Sequence, residues 1–282
     1  MSTKSKPYIF LVPALFILAV VTVYPLFYVL WLSLHRRLLI FDISKFIGLE
    51  NYGFLLRDDR FWNALYNTVY FTGVSVSLEL ILGLAIAMLL NGAFKGKGIM
   101  RSIILVPWVI PTVVSAKMWE WMYNPDFGIL NYLLGVNINW LGSPFWALNA
   151  AVFVDVWKTT PFVTLLLMAG LQTIPMDLYG AARVDGASNW YIFKRITLPL
   201  LKPMILIVLI FRTLDAFRVF DVIYVLTGGG PGNSTETLSI YAYKTLFQTL
   251  QFGYGSTLSV MVFLSVAVIT LFYVKLLRRE TE

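Results

Sequence analysis

The sequence contains no cysteine, and His35 is its single histidine. Disulfide bonds and cysteine-based metal sites are therefore excluded, and one histidine cannot supply a histidine metal cluster or a Ser-His catalytic arrangement. We accordingly expect neither catalytic residues nor metal ligands in this chain. Charge is also scarce, because Asp, Glu, Lys and Arg make up 13% of the 282 residues, whereas soluble domains carry about 25%. That composition leaves too few charged residues to cover a water-facing surface.

Long apolar runs dominate instead, since 59% of the residues are hydrophobic and the mean hydropathy is +0.76. A transmembrane helix needs about 20 apolar residues, and it must satisfy its backbone polar groups internally. We therefore predict an all-α polytopic membrane protein, with a single transmembrane domain over residues 1–282. About six spans are predicted, at 9–34, 67–91, 99–122, 148–172, 204–226 and 256–277.

The lysines and arginines give these spans a direction. With the N-terminus inside, twelve of the 22 fall in inner segments, six in outer segments and four within spans. Since inner loops carry the excess of Lys and Arg, both termini are predicted to be cytoplasmic. The net charge of +7 is thus explained by the basic residues that orient the chain in a lipid membrane. We therefore expect no nucleic acid partner.

The inner segment 175–199, between the fourth and fifth spans, is more than a connection. Asp177 is a suitable N-cap for a first short helix, and Gly186 would end that helix. Ser188 or Asn189 would cap a second helix that ends before the close of the segment. The result is a compact knob with an apolar side. Its composition fits either an amphipathic helix on lipid headgroups or a surface that docks a protein.

This segment resembles the signature of permease subunits of binding-protein-dependent ABC importers. The signature reads Glu-Ala-Ala, three residues, Gly, nine residues and Ile-x-Leu-Pro, and the matching residues are Ala181, Ala182, Gly186, Ile196, Leu198 and Pro199. Gly180 replaces the family's Glu. That change removes the carboxylate of a capping box and should loosen the turn.

Four further stretches are similar to the carbohydrate branch of that family, in particular to the first permease of di- and oligosaccharide or glycerol-phosphate systems. They are Gly48-Leu-Glu-Asn-Tyr52, Phe61-Trp-Asn-Ala-Leu-Tyr-Asn-Thr68, Trp157-Lys-Thr-Thr-Pro-Phe162, and Thr227-Gly-Gly-Gly-Pro-Gly232 with Ser234-Thr-Glu-Thr-Leu238. The resemblance covers nearly the whole chain. It implies a multi-pass protein of a bacterial or archaeal plasma (inner) membrane.

The same resemblance implies that this chain is one of several subunits with different roles. The inner knob would be a coupling helix that docks on an ATPase subunit through Gly180, Ala181, Ala182, Arg183, Asp185 and Gly186. The chain would form half of a translocation pathway for a trehalose- or maltose-like sugar, with glycerol-phosphate compounds as the alternative. The expected partners are a second homologous permease, two copies of a cytoplasmic ATPase, an extracytoplasmic sugar-binding protein and membrane lipid.

ATP and magnesium would bind the partner subunits, and we expect no cofactor on this chain. The segment Gly92-Ala-Phe-Lys-Gly-Lys-Gly98 has three residues between its first two glycines where a phosphate loop needs four. It also ends in Gly98 where that loop has Ser or Thr.

Charged residues inside the predicted spans are expensive and by default indicate function. The candidates for a substrate pathway are Glu79, Asp155, Lys158, Arg212, Asp215, Arg218, Asp221 and Tyr224. Their three cations and four carboxylates allow near-complete pairing. If span five is one helix, its four charges at steps of three fan across about half of the helix. These residues either bind sugar hydroxyls or form ion pairs that fix helix register, and Tyr224 either stacks on a sugar or packs in the bundle.

Pro107 and Pro111 flank Trp108 and predict a helix break in span three, whose role is either gating or purely structural. At the level of function, an ion-coupled secondary transporter explains the buried carboxylates but leaves the inner knob without a purpose. A membrane-embedded transferase would need a catalytic cluster, and the sequence offers no convincing one.

Overall fold

A computed structural model describes residues 6–92 and 95–281, with side chains described over 11–92 and 95–276. Lys4, and the side chains of Lys6, Arg278 and Arg279 that entered the count of inner charges, lie outside the described residues, as do positions 93 and 94 of the glycine-rich segment. The helices are α1 Lys6–Leu18, α2 Tyr24–Ser33, α3 Glu50–Leu55, α4 Asp59–Asn91, α5 Lys97–Val109, α6 Thr112–Met122, α7 Ile129–Leu134, α8 Pro144–Gln172, α9 Met176–Val184, α10 Asn189–Ile192, α11 Leu198–Phe217, α12 Asp221–Leu226, α13 Leu238–Tyr243 and α14 Phe252–Thr281. Turns of π-helix occupy Ala19–Val23, Phe193–Thr197 and Lys244–Gln248.

The all-α fold of about six spans is confirmed. Within the described chain, five helices are long and apolar enough to cross a membrane, or six if one bent pair counts as a single span. They are Leu11–Ser33, Asp59–Asn91, Lys97–Val109 with Thr112–Met122, Pro144–Gln172, Asn189–Leu226 and Phe252–Leu276.

Two expected spans are not continuous helices. The third bends by 90° between α5 and α6. Pro111 causes this bend, because the residue before a proline is pushed out of the helical region and Ile110 adopts φ −66° and ψ 131°. Pro107, by contrast, lies inside α5. The fifth is interrupted after Phe217, where Arg218 ends α11 and a new helix starts at Asp221.

The chain forms two compact units. One comprises residues up to Phe61 together with Tyr241–Ser265, and the other comprises Trp62–Ile240 and the residues from Val266 onward. The first unit contains a β-hairpin that the sequence did not predict, in which β1 His35–Leu38 pairs with β2 Ile43–Phe46.

The motif at 48–52 belongs to this first unit. The Asn51 side-chain amide donates to the carbonyl oxygen of Ser33 at 2.8 Å and to that of His35 at 3.1 Å. The hydroxyl of Tyr52 lies 2.7 Å from Oγ of Ser33. The motif therefore satisfies backbone groups at the end of α2, which is a structural role.

In the second unit α8 is the most buried span, with 72% of its apolar window inside the protein. Small residues allow its neighbours to approach closely, as in other membrane bundles. A Cβ at Gly83 of α4 would lie 2.5 Å from Cγ1 of Val163, and a Cβ at Gly170 would lie 2.8 Å from Cδ1 of Leu201. These contacts place α4 and α11 against α8, and they bring the intramembrane charges together.

Candidate functional site

Arg212 of α11 is the centre of a buried ion cluster. Its Nε donates to Oε2 of Glu79 at 2.5 Å, and its Nη2 donates to Oε1 of the same carboxylate at 2.8 Å. Nη2 also donates to Oδ2 of Asp155 at 3.0 Å, and Nη1 donates to Oδ2 of Asp215 at 2.6 Å. One cation therefore binds three carboxylates carried by α4, α8 and α11. The near-complete pairing that the numbers of charges allowed is not observed among the described residues, because Arg212 alone binds three of the four carboxylates.

The inner part of this cluster has a structural character. The side chain of Arg212 is 3% exposed and Glu79 is fully buried. Thr159 adds a hydrogen bond of 2.6 Å from its hydroxyl to Oε1 of Glu79, which the sequence did not predict. Buried charges are tolerated only when they have partners, and each of these carboxylates binds Arg212. Asp215 differs, because its side chain is 67% exposed.

Lys158 does not bind a carboxylate in the described structure but stabilises the break in span three. Its ammonium donates to the carbonyl oxygen of Ile110 at 2.5 Å and contacts that of Trp108 at 3.4 Å. The last carbonyls of a helix have no partner within the helix, and a cation there also complements the helix dipole. The ring of Trp108 stacks on Phe162 at a centroid distance of 5.8 Å. The motif at 157–162 thus holds the bend between α5 and α6.

A cavity of about 530 Å³ lies where the two helix interruptions meet. Residues 108–112, around the bend in span three, contribute to its wall, and so do residues 218–222, around the interruption of span five. Five charged residues contribute to its wall: Asp155, Lys158, Asp215, Arg218 and Asp221. We call this space the central cavity. Its volume falls within the range of about 300–1,000 Å³ for small-molecule sites.

The remaining pathway candidates take different positions. Glu79 and Arg212 lie behind the wall, bound to Asp155 and Asp215, which line it. Tyr224, within the described chain, is not part of the cavity wall, and its ring stacks on Phe220 at a centroid distance of 5.2 Å. The Tyr224 ring therefore contacts the cavity wall through Phe220, and its role in binding sugar or in packing stays a prediction.

The inner segment forms a helix, a sharp turn and a second helix. Pro175 rather than Asp177 is the N-cap of α9, so the expected cap is wrong, and Asp177 lies in the first turn. Ser188 does cap α10, since its hydroxyl accepts from the backbone N–H of Tyr191. α10 does not end before Pro199, because a π-helical turn carries it directly into α11.

Gly186 ends α9 in a Schellman arrangement. Its φ is +77°, a conformation that glycine adopts without a steric cost. The N–H of Ala187 donates to the carbonyl of Ala182 at 2.9 Å, and the N–H of Gly186 donates to that of Arg183 at 3.1 Å. These are the two bonds that define this C-cap. A Cβ at Gly186 would meet no atom within 4 Å, so backbone conformation alone requires the glycine.

The two faces of α9 have different surroundings. Met176, Tyr179 and Arg183 line a cavity against the ends of other helices, as their spacing of three and four residues requires. At 100° per residue Ala181 and Asp185 lie on the opposite face, and both are exposed. The structure therefore places Arg183 on a different face of α9 from Ala181 and Asp185.

Two of the outer motifs bind each other in the second unit. The side-chain amide of Asn67, from the motif at 61–68, donates to the carbonyl oxygens of Asn233 at 3.2 Å and Glu236 at 3.1 Å. Both acceptors belong to the motif at 227–238. Both motifs are polar and lie on the same predicted side of the membrane, and this was a signal in the sequence that they could pair. Their spacing along the chain did not reveal the pairing.

The family is shown by a match that includes the central cavity and the inner segment. Residues 79–281 match the model of the family described as "Binding-protein-dependent transport system inner membrane component". The chain belongs to this family.

Individual relatives of this inner membrane component agree. It is 48% identical over 272 residues to the trehalose/maltose transport system permease protein MalF of Thermococcus litoralis, covering 95% of this chain and 92% of MalF. It is 44% identical over 277 residues to the trehalose transport system permease protein SugA of Mycobacterium tuberculosis, covering 98% and 90% respectively.

The fold of the permease is also that of a solved transporter. A chain in the crystal structure of a bacterial ABC transporter involved in the import of the acidic polysaccharide alginate superimposes with a TM-score of 0.85. The match covers 98% of this permease and 96% of that chain at 24% identity. The resemblance inferred from the inner loop is confirmed, and so are the multi-pass inner membrane location and the role as a transport subunit rather than an enzyme.

Proposed function

We propose that this permease forms half of the translocation pathway of an ATP-driven importer for a di- or oligosaccharide, with a trehalose- or maltose-like sugar as the preferred class. The observation that carries the proposal is the central cavity, in which both helix interruptions and five charged side chains meet. Carboxylates and guanidinium groups bind sugar hydroxyls through charge-assisted hydrogen bonds. The named substrates of MalF and SugA support the sugar class.

The charge of the cavity favours a neutral sugar over a glycerol-phosphate compound. Asp155, Asp215 and Asp221 line the wall, against Lys158 and Arg218. The Lys158 ammonium is also already bound to backbone carbonyls. A phosphate would require cations that are free to pair with it, and the wall has no excess of them.

Within this pathway the charged residues divide into two roles. Asp215, Arg218 and Asp221 are the proposed sugar ligands, because they line the cavity around the interruption of span five. Glu79 and Arg212 position Asp155 and Asp215 from behind. Lys158 positions the broken span three.

The inner knob is the proposed coupling element. Leu178 and Val184 are 41% and 89% exposed, and Ala181, Asp185 and Gly186 are exposed beside them. An apolar surface of this kind, without a large side chain at its centre, suits close docking on an ATPase subunit. The complete importer would contain a second homologous permease, two ATPase copies that bind ATP and magnesium, and an extracytoplasmic sugar-binding protein.

Reconstitution tests this proposal directly. The permease, its co-expressed partner subunits and the binding protein in liposomes should accumulate labelled trehalose or maltose only with ATP. Uptake by the purified permease alone, without ATP, would contradict the importer and would favour an ion-coupled secondary transporter. That second candidate rests on one observation, the three carboxylates around the single cation Arg212. It predicts sugar uptake driven by a proton or sodium gradient.

A further inference from the structure

Two neighbouring cavities of the second unit share part of their wall near the predicted cytoplasmic ends of α4 and α8. Each has a volume of about 490 Å³, and Met88, Asn189 and Phe193 line both. We call the combined space the inner groove. It lies on the membrane side of α9, away from the exposed face that contains Ala181 and Asp185, so the proposed coupling surface does not occupy it.

One arm of the inner groove is apolar. Ile81, Leu84, Ala85 and Met88 of α4 line it at spacings that place them on one helix face. Across from them are Trp190 of α10 and the π-helical turn that follows. The strip along α4 is about 10 Å long at 1.5 Å per residue. It runs from the inner end of the span toward the middle of the membrane.

The other arm is polar and lies at the end of α4. Asn91, Tyr179, Arg183 and Thr197 contribute to its wall. The ammonium of Lys97 adds a second positive charge at its rim, because it donates to the carbonyl oxygen of Asn91 at 3.3 Å. Among the described residues that line either arm, none is Asp or Glu. The polar arm is therefore uniformly positive.

The inner groove is complementary to an anionic phospholipid. Its positive polar arm lies at the membrane surface, and its apolar arm leads into the membrane. We propose that the inner groove binds one anionic phospholipid of the cytoplasmic leaflet. Its phosphate lies between Lys97 and Arg183, and one acyl chain lies along the α4 strip. Basic pockets between spans on the cytoplasmic side bind anionic headgroups, and tryptophan, here Trp190, is enriched at that depth.

The proposal is tested by native mass spectrometry of the full-length permease, purified in neutral detergent with the subunits that accompany it. Phosphatidylglycerol and phosphatidylcholine of the same acyl chains are titrated separately. We expect one phosphatidylglycerol to bind more tightly than any phosphatidylcholine. Ala85→Trp should abolish this tight site by filling the apolar arm, and Lys97→Gln should weaken it about fivefold, the effect of one lysine at an anionic surface.

Two control variants separate the groove from general membrane properties. Val69→Trp also places a tryptophan on α4, at an exposed position outside the groove, and Lys95→Gln removes a neighbouring exposed charge. Both should bind phosphatidylglycerol as the unmodified protein does. Equal affinity for the two lipids, or equal effects of the groove and control variants, would overturn the proposal. So would an Ala85→Trp variant that loses a partner subunit yet keeps its lipid, because the groove would then be a protein interface.

Discussion

The ammonium of Lys158 and the carbonyl oxygen of Ile110 are 2.5 Å apart, although 48 residues separate them in the chain. This bond joins the middle of α8 to the bend between α5 and α6. A lysine buried in a membrane would be costly without a partner, and the broken helix supplies carbonyls that themselves need one. Each therefore satisfies the other, and the bend becomes a fixed feature of the bundle.

Replacing this lysine should destabilise the permease. Lys158→Met leaves the carbonyls at the bend without a donor, and the loss of a hydrogen bond to a charged group costs about 1.5–3 kcal/mol. The midpoint of thermal unfolding in detergent measures the effect. Lys117→Met is the control, because Lys117 forms an exposed ion pair with Glu120 that is worth at most about 1 kcal/mol. Equal shifts for the two variants would contradict the assigned role.

Arg212 and Glu79 should behave as a coupled pair. Arg212→Gln leaves buried carboxylates uncompensated, which costs about 3–5 kcal/mol. Because Glu79→Gln removes the innermost of these charges, the double variant should lose less stability than the sum of the two single variants. Unfolding midpoints of the four proteins provide the measurement. Strict additivity would show that the cluster is not an energetic unit.

Substitution of Gly83 should be tolerated only if the facing side chain of α8 is made smaller. In Gly83→Ala the new methyl group would clash with Val163, and overpacking of this kind costs about 1–3 kcal/mol. Val163→Ala should restore most of the loss. Gly73→Ala, on the same helix with no atom within 4 Å of its Cβ, should instead stabilise α4 by about 1 kcal/mol. Thermal unfolding distinguishes these outcomes, and a failure of the second-site rescue would dismiss the close contact.

Asp221 provides a test of the central cavity that measures sugar uptake rather than stability. It lines the cavity, and the described residues supply no ion-pair partner for it. If its carboxylate binds a sugar hydroxyl, Asp221→Asn should raise the half-saturating sugar concentration for uptake by about tenfold or more. Unfolding should not change. Asp126→Asn, on an exposed outer loop, should alter neither quantity, and an unchanged half-saturation in Asp221→Asn would remove this residue from the site.

Gly186 tests the coupling surface. Gly186→Asp should abolish transport and the stimulation of ATPase activity, because it places a charge on the proposed docking face while the protein remains inserted. Gly186→Asn is the matched control, since Asn also tolerates a positive φ and adds nearly the same volume without the charge. ATPase assays of the assembled transporter should rank Asn above Asp. Normal uptake by the Asp variant would reject the coupling role of this turn.

Much of the candidate site was visible in the sequence as a set of unusual residues, but not as an arrangement. Asp155, Lys158, Asp215, Arg218 and Asp221 were all singled out as charges in apolar spans. Their partners were not, because a side chain's partner depends on which helix faces it. A count of opposite charges could not have predicted that Lys158 pairs with backbone carbonyls.

The sequence by itself determined that this protein spans a membrane and which family it belongs to, and its charges predict an orientation in the membrane. Apolar runs of about 20 residues have one stable solution in lipid, and the loop motif is local, so neither required knowledge of the packing. Only the tertiary structure decided that the break predicted in span three is a 90° bend at Ile110, that span five stops at Phe217, and that Arg212 binds three carboxylates. These outcomes depend on helices packing side by side, where residues far apart in the chain satisfy each other's charges and unpaired carbonyls.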